Sequence, residues 1–165
     1  MPAKIRFFER PCPDGHIYPC SLEDMKRQLS LLPAEDLTGL WAAGLVPSTR
    51  KDGESDGRYY FVPRPVIHLF SYPESLHFKL RAGTRPSEIE RGLAVQLKYG
   101  MEIKREGSRY TCVWTTASLR RFLLEHVLLH EVGHHVFFLR RKQQGYPYTP
   151  CIAGAEPFAE NYAVR

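Results

Sequence analysis

Apolar and polar positions alternate along this chain in two rhythms. One is helical. From Ser21 to Leu32 the residues Leu22, Met25, Leu29 and Leu32 share a face, with Ser21 placed to cap and Glu23 and Asp24 in the first turn. "RPSEIERGLAVQL" predicts another helix, with Pro86 in its first turn. The longest helical stretch runs from Ser118 to about Lys142, where Leu119, Phe122, Leu123, His126, His130, Gly133, His134 and Phe137 line one face. The second rhythm is that of strands. "KIRFFER", "YYFVP", "VIHLFSYP" and "LHFKL" are rich in β-branched or aromatic residues and are separated by turn signals. "GMEIKREGSRYTCVW" reads as a hairpin folding about Glu106 and Gly107. Leu40 to Val46 is apolar throughout and fits a buried strand or a short helix, which periodicity leaves open. "STRKDGESDGR" is polar and Gly-rich, a surface loop. Together these predict one α+β domain over residues 1–165, a small mixed sheet with a helix on it and a long helix near the C-terminus.

Composition narrows this picture without changing it. A hydrophobic share of 43% and a charged share of 25% suit a globular protein with an ordinary core. No apolar run approaches the roughly 18 residues of a membrane span, and "MPAKIRFFER" is charged where a signal peptide is apolar. The expectation is a cytoplasmic protein with no membrane partner. Cys12, Cys20, Cys112 and Cys151 are too scattered for a disulfide framework. Cys12, His16 and Cys20 match no common structural zinc spacing and read as a turn region with reduced thiols. The net charge of +5 is spread along the chain, with short clusters only at Arg120-Arg121 and Arg140-Arg141-Lys142. Both clusters flank the long helix and read as its solvated ends, so nucleic acid is not an expected partner.

Chemistry concentrates in "LLHEVGHHVFF", Leu128 to Phe138, where three histidines and a glutamate interrupt an apolar run. Burying such groups without partners is costly. His130 and His134 stand at i and i+4, so both imidazoles can reach one metal ion, and zinc takes neutral imidazole readily. Glu131 is about 100° further round the helix, placed to accept a proton from a water on the metal instead of replacing it. Gly133 costs roughly 1 kcal/mol against alanine inside a helix, which is explicable if another segment packs close there. By chance alone HExxH recurs in roughly one chain in a hundred of this size, so a third ligand decides its meaning. No histidine follows His135, but "AGAEPFAENYAVR" places Glu156 22 residues after His134 and Glu160 one turn later. One carboxylate can bind the metal while the other fixes the tautomer of a ligand histidine. Ala159 and Ala163 keep that helix thin enough to approach Gly133.

HExxH followed by E-x-F-A-E-x-[FY] resembles the gluzincin metallopeptidases, especially the branch containing the anthrax lethal factor catalytic domain and the bacterial Pro-Pro endopeptidases. The similarity covers about Leu119 to Ala163. It implies a minimal zincin-like domain with one Zn2+ on His130, His134 and Glu156, Glu131 as general base, and Glu160 in outer-shell support. It also implies a tyrosine that stabilises the oxyanion about seven residues before the glutamate ligand. Tyr148 lies eight before Glu156 and Tyr146 ten before, so Tyr148 is the nearer match. Pro157 departs from the pattern, because proline fits only the first turn of a helix. Glu156 would then sit at a helix start, with Glu160 the alternative ligand.

His126 reads as a core residue or a neighbour of the site, and His135 points away from the metal toward solvent or a strand. His68 and His77 have no ligand spacing. "RYTCVW", Arg109 to Trp114, leads directly into the long helix and is expected to form the sheet edge along which a peptide substrate lies. The function so predicted is a zinc metallopeptidase acting on peptide or protein substrates. The alternative is a non-catalytic module held together by zinc, which binds a protein or nucleic-acid partner.

Overall fold

The computed structural model describes residues 5–49, 56–80, 83, 85–107, 109–149 and 152–164. In chain order they form β1 (Arg6–Glu9), β2 (His16–Ile17), α1 (Leu22–Ser30), a 3-10 turn (Ala34–Leu37), β3 (Ala42–Val46), β4 (Gly57–Tyr60), β5 (Val66–Phe70), β6 (Tyr72–Pro73) and β7 (His77–Lys79). There follow α2 (Pro86–Gly92), α3 (Ala94–Lys98), β8 (Glu102–Glu106), β9 (Arg109–Val113) and α4 (Thr116–Phe122). A π turn (Leu123–Val127) joins α4 to α5 (Leu128–Gln143), and α6 (Ala155–Ala163) comes last.

The main sheet has the order β1-β3-β5-β4. Its first three strands are parallel, and β4 runs antiparallel to β5 at the edge. The architecture is α+β, with a small mixed sheet as expected. The ambiguous Leu40 to Val46 run is strand β3, and all five of its residues are buried. A continuous apolar run marks a strand covered on both faces. α1 begins as its sequence specifies: the Ser21 side chain accepts from the Asp24 N–H, and Asp24 accepts from the Ser21 N–H. The predicted helix after Pro86 is broken at Leu93 into α2 and α3. The polar loop before β4 falls largely outside the described residues, as does Cys151.

One expectation is overturned. The hairpin of β8 and β9 forms, but β9 is the middle strand of a separate three-stranded sheet, ordered β7-β9-β8. With a neighbour on each side, Arg109 to Val113 is no edge. The strand beside the long helix is β4, more than fifty residues earlier in the chain. Gly57 permits this approach, because a Cβ there would lie 2.7 Å from Cγ1 of Val127 in the π turn.

The buried apolar residues of α1, the strands and the long helix form one cluster that includes Met25, Leu45, Ile67, Leu69, Leu119, Leu128 and Val132. No helix among the described residues is long and apolar enough to cross a membrane. α6 lies on the outer side of α5, crossing it at Gly133. A Cβ on Gly133 would stand 2.7 Å from Ala159 Cα and 3.1 Å from the Ala159 carbonyl oxygen, so the two backbones almost touch.

Candidate metal centre

α5 starts from a firm foundation. Thr115 caps α4 by accepting from the Ser118 N–H, and Leu119, Phe122 and Leu123 anchor the helix in the core. From there the rings of Phe122, His126, His130 and His134 follow one another, with centroid spacings of 5.5, 6.2 and 4.7 Å. α6 brings the carboxylates. Gly154 at its N-cap has φ 97°, a left-handed conformation that glycine takes without strain. Pro157 then falls in the first turn, where its missing N–H has no intrahelical role. Pro157, the departure from the family pattern, is thus accommodated with Glu156 at the helix start.

His130 Nε2 and His134 Nε2 are 3.1 Å apart, and Glu156 presents Oε2 at 3.3 Å from the first and Oε1 at 3.4 Å from the second. Zinc bonds of about 2.0–2.1 Å in a tetrahedral shell separate neighbouring donors by about 3.3–3.4 Å. Each imidazole thus has one Glu156 oxygen at about that spacing, and one donor atom from each of the three residues lies within 4.8 Å of the others, the one such group among the described residues. Glu160 Oε2 stands 3.3 Å from His130 Nδ1, on the side away from the triangle, and 3.7 Å from His126 Nε2. His130 Nδ1 is buried and makes no aligned hydrogen bond, so Glu160 is the carboxylate placed to hold it. The residues fit a metal ion: two imidazoles and one carboxylate inward, a second carboxylate behind.

Glu131 is 7% exposed. Burial, and after it the nearby charge of Glu156, pushes its carboxyl up to about 8, against a backbone N–H bond from Tyr59 that favours the ionised form. Burial likewise holds the His134 imidazole below its ordinary value, with His130 acting in the same direction, which favours the neutral ring a metal accepts.

A pocket of about 750 Å³ opens over these groups, lined by Tyr59, His130, Glu131, His134, Tyr148 and Glu156 among others. Tyr148 therefore lies in the wall of the pocket that opens over these groups. Tyr146 lies outside that pocket, under the Arg141 guanidinium at 4.6 Å. His135 is buried one turn beyond Glu131, where it hydrogen-bonds the Tyr59 hydroxyl at 3.1 Å and the Thr38 carbonyl at 3.0 Å. The carbonyl fixes Nε2 as donor and leaves Nδ1 to accept from Tyr59. His126 is buried in the ring column, and His68 sits between the rings of Phe8 and Tyr60. Cys12 is exposed and Cys20 buried, and they join no metal-ligating cluster among the described residues.

Sequence reading had missed Tyr59. Its N–H steadies Glu131 and its hydroxyl engages His135, yet only its place in a strand-like "YYFVP" marked it. Comparison with protein-family models, curated proteins and solved structures finds no match to this chain.

Proposed function

We propose that this protein is a zinc-dependent metallopeptidase of zincin-like fold, with Glu131 as the general base. The observation that carries the reading is the convergence of His130, His134 and Glu156, one donor atom from each within 4.8 Å of the others, beside the buried Glu131 carboxyl in an open pocket. The likeness of HEVGH…EPFAENY to the gluzincin pattern supports it. Zinc held there would act as a Lewis acid and bring the pKa of water down toward about 7.

The chain's own residues supply the rest. A cation held by the triad would favour the ionised form of Glu131 against its burial. The carboxylate, fixed by the Tyr59 N–H, then takes the proton of the attacking water and passes it to the departing amine. Glu160 acts through His130 as a positioning residue, orienting the ring from behind. Tyr148, at the pocket wall, is the candidate donor to the developing oxyanion. β4, the edge strand bordering the pocket, takes the role expected of Arg109–Trp114: an extended peptide lies along it with its carbonyl over the triangle. A structural zinc module would close its site with four protein ligands, whereas three donors face this pocket among the described residues. A cytoplasmic place of action belongs to the same reading, supported by the free thiols Cys12, Cys20 and Cys112.

The test is Glu131→Gln. Its zinc content should remain one per chain while cleavage of any peptide the parent cuts falls by roughly 10²-fold or more. Undiminished cleavage by the zinc-loaded variant would sink the mechanism.

A further inference from the structure

A second pocket of about 230 Å³ adjoins the metal pocket, and Phe138 and Tyr148 line both. Its walls are aromatic. Phe61 stacks on Tyr148 with centroids 4.5 Å apart, and Phe138 meets Tyr148 at 5.0 Å. Its chemistry is cationic, because Arg141 and Lys142 both face it. The Arg141 guanidinium lies over Tyr146 at 4.6 Å and Phe137 at 5.9 Å, and no carboxylate among the described residues pairs with it. Its Nε is buried and has no acceptor among those residues. A buried N–H left unbonded is a standing cost to the fold. The planar guanidinium fork matches a carboxylate, so an oxyanion from outside is a fitting partner for this one.

We propose that this pocket is a carboxylate subsite in which Arg141 receives an acidic group of a bound peptide. The proposal rests on the peptidase reading and specifies its substrate. Arg141 is seven residues beyond His134 on the same helix, which places it roughly 10 Å along the axis. An extended peptide covers that distance in about three residues. The acidic group is therefore about three residues from the carbonyl over the metal triangle, its methylenes against Phe61 and Phe138. The carboxylate can belong to an Asp or Glu side chain or to the chain terminus, and the test separates the two.

The experiment uses zinc-loaded Glu131→Gln protein and fluorescent, N-acetylated hexapeptides in which Glu or Gln is moved through each position, each made once with an amidated and once with a free C-terminus. Binding is read by polarisation, and cleavage by the parent protein is followed in parallel. At one position Glu should bind on the order of tenfold to a hundredfold tighter than Gln, the range of one charge-assisted hydrogen bond. Adding Arg141→Gln should bring that ratio near one, Arg141→Lys should leave it intermediate, and Arg141→Glu should turn the preference toward Lys peptides. A gain confined to peptides with a free C-terminus assigns the carboxylate to the chain end. A ratio near one at every position and at the terminus, or one that Arg141→Gln leaves unchanged at parental zinc content, overturns the subsite. Acid-selective binding with no cleavage by the parent protein instead overturns the peptidase reading and leaves the subsite standing.

Discussion

Gly133→Ala sets two known quantities against each other. In an unobstructed helix the change gains about 1 kcal/mol of propensity. Here the new methyl would sit 2.7 Å from Ala159 Cα and 3.0 Å from Tyr162 Cβ, where ordinary contact begins at 3.4 Å. Backbone cannot rotate aside as a side chain can, so α6 must retreat from α5 by roughly 1 Å. Such overpacking costs about 1–3 kcal/mol. The net loss, about 1 kcal/mol, lowers the melting temperature of the metal-free protein by about 2–4 °C for a chain of this size. The larger effect falls on the donors. α6 carries Glu156 and Glu160, whose oxygens stand 3.3–3.4 Å from the histidine nitrogens. Metal–ligand distances tolerate only about 0.2 Å. We expect zinc affinity to fall at least 10–100-fold, the range seen when ligand support is disturbed. Competition titration against a chromogenic chelator reads the affinity, and calorimetry of the stripped protein reads the stability. A variant that melts higher and holds zinc as tightly as the parent would show that α6 is not braced on Gly133.

Three further outcomes follow from the same geometry. Mass spectrometry after dialysis against a weak chelator should find zinc lost from Glu156→Ala and retained, though 10–100-fold more weakly, in Glu160→Ala; equal loss from both would make Glu160 a ligand. Tyr59→Phe should cost about 1–3 kcal/mol in urea unfolding, because it leaves His135 Nδ1 buried without a donor, while zinc content stays at the parental value. The third concerns Asp56, which accepts from the Tyr72 hydroxyl and whose carboxyl burial raises from 3.8 to about 6. The folded state then holds that proton more tightly than the unfolded chain, so stability falls by about 2–3 kcal/mol as pH rises from near 4 through 6. Asp56→Asn, which keeps an acceptor for Tyr72, should flatten the unfolding midpoint over that interval, and an unchanged pH slope would refute the assignment.

What the sequence could disclose follows from how far apart the cooperating residues lie. His130 and His134 are one helical turn apart, and so are Glu156 and Glu160, so helical period alone puts each pair on one face. Gly133, Ala159 and Ala163 were legible as a pair of thin helix surfaces for the same local reason. The place of β4 was not. Strand order is decided by packing across the whole domain, and the nearness of Arg109–Trp114 to the helix in sequence pointed to the wrong edge. Arg141 was equally hidden. As one cation among three at a helix end it reads as solvated, and its buried Nε and its place against the Phe137 and Tyr146 rings appear only in the fold.

The π turn at Leu123–Val127 bears on how such a helix keeps its bearings. Residues spaced by four drift about 40° per step round an α-helix, so a column of four of them would swing through about a third of a circle. A turn closed by i→i+5 bonds holds one residue more and rotates the phase back. Phe122 can thus sit beside Trp114 in the core while His126, His130 and His134 continue the same column out to the carboxylates. The widened turn works as a vernier between two registers, the one that the core demands and the one that the donors demand. Removing a single residue from it would close it to an ordinary α turn, in which four residues sweep about the angle that five sweep here.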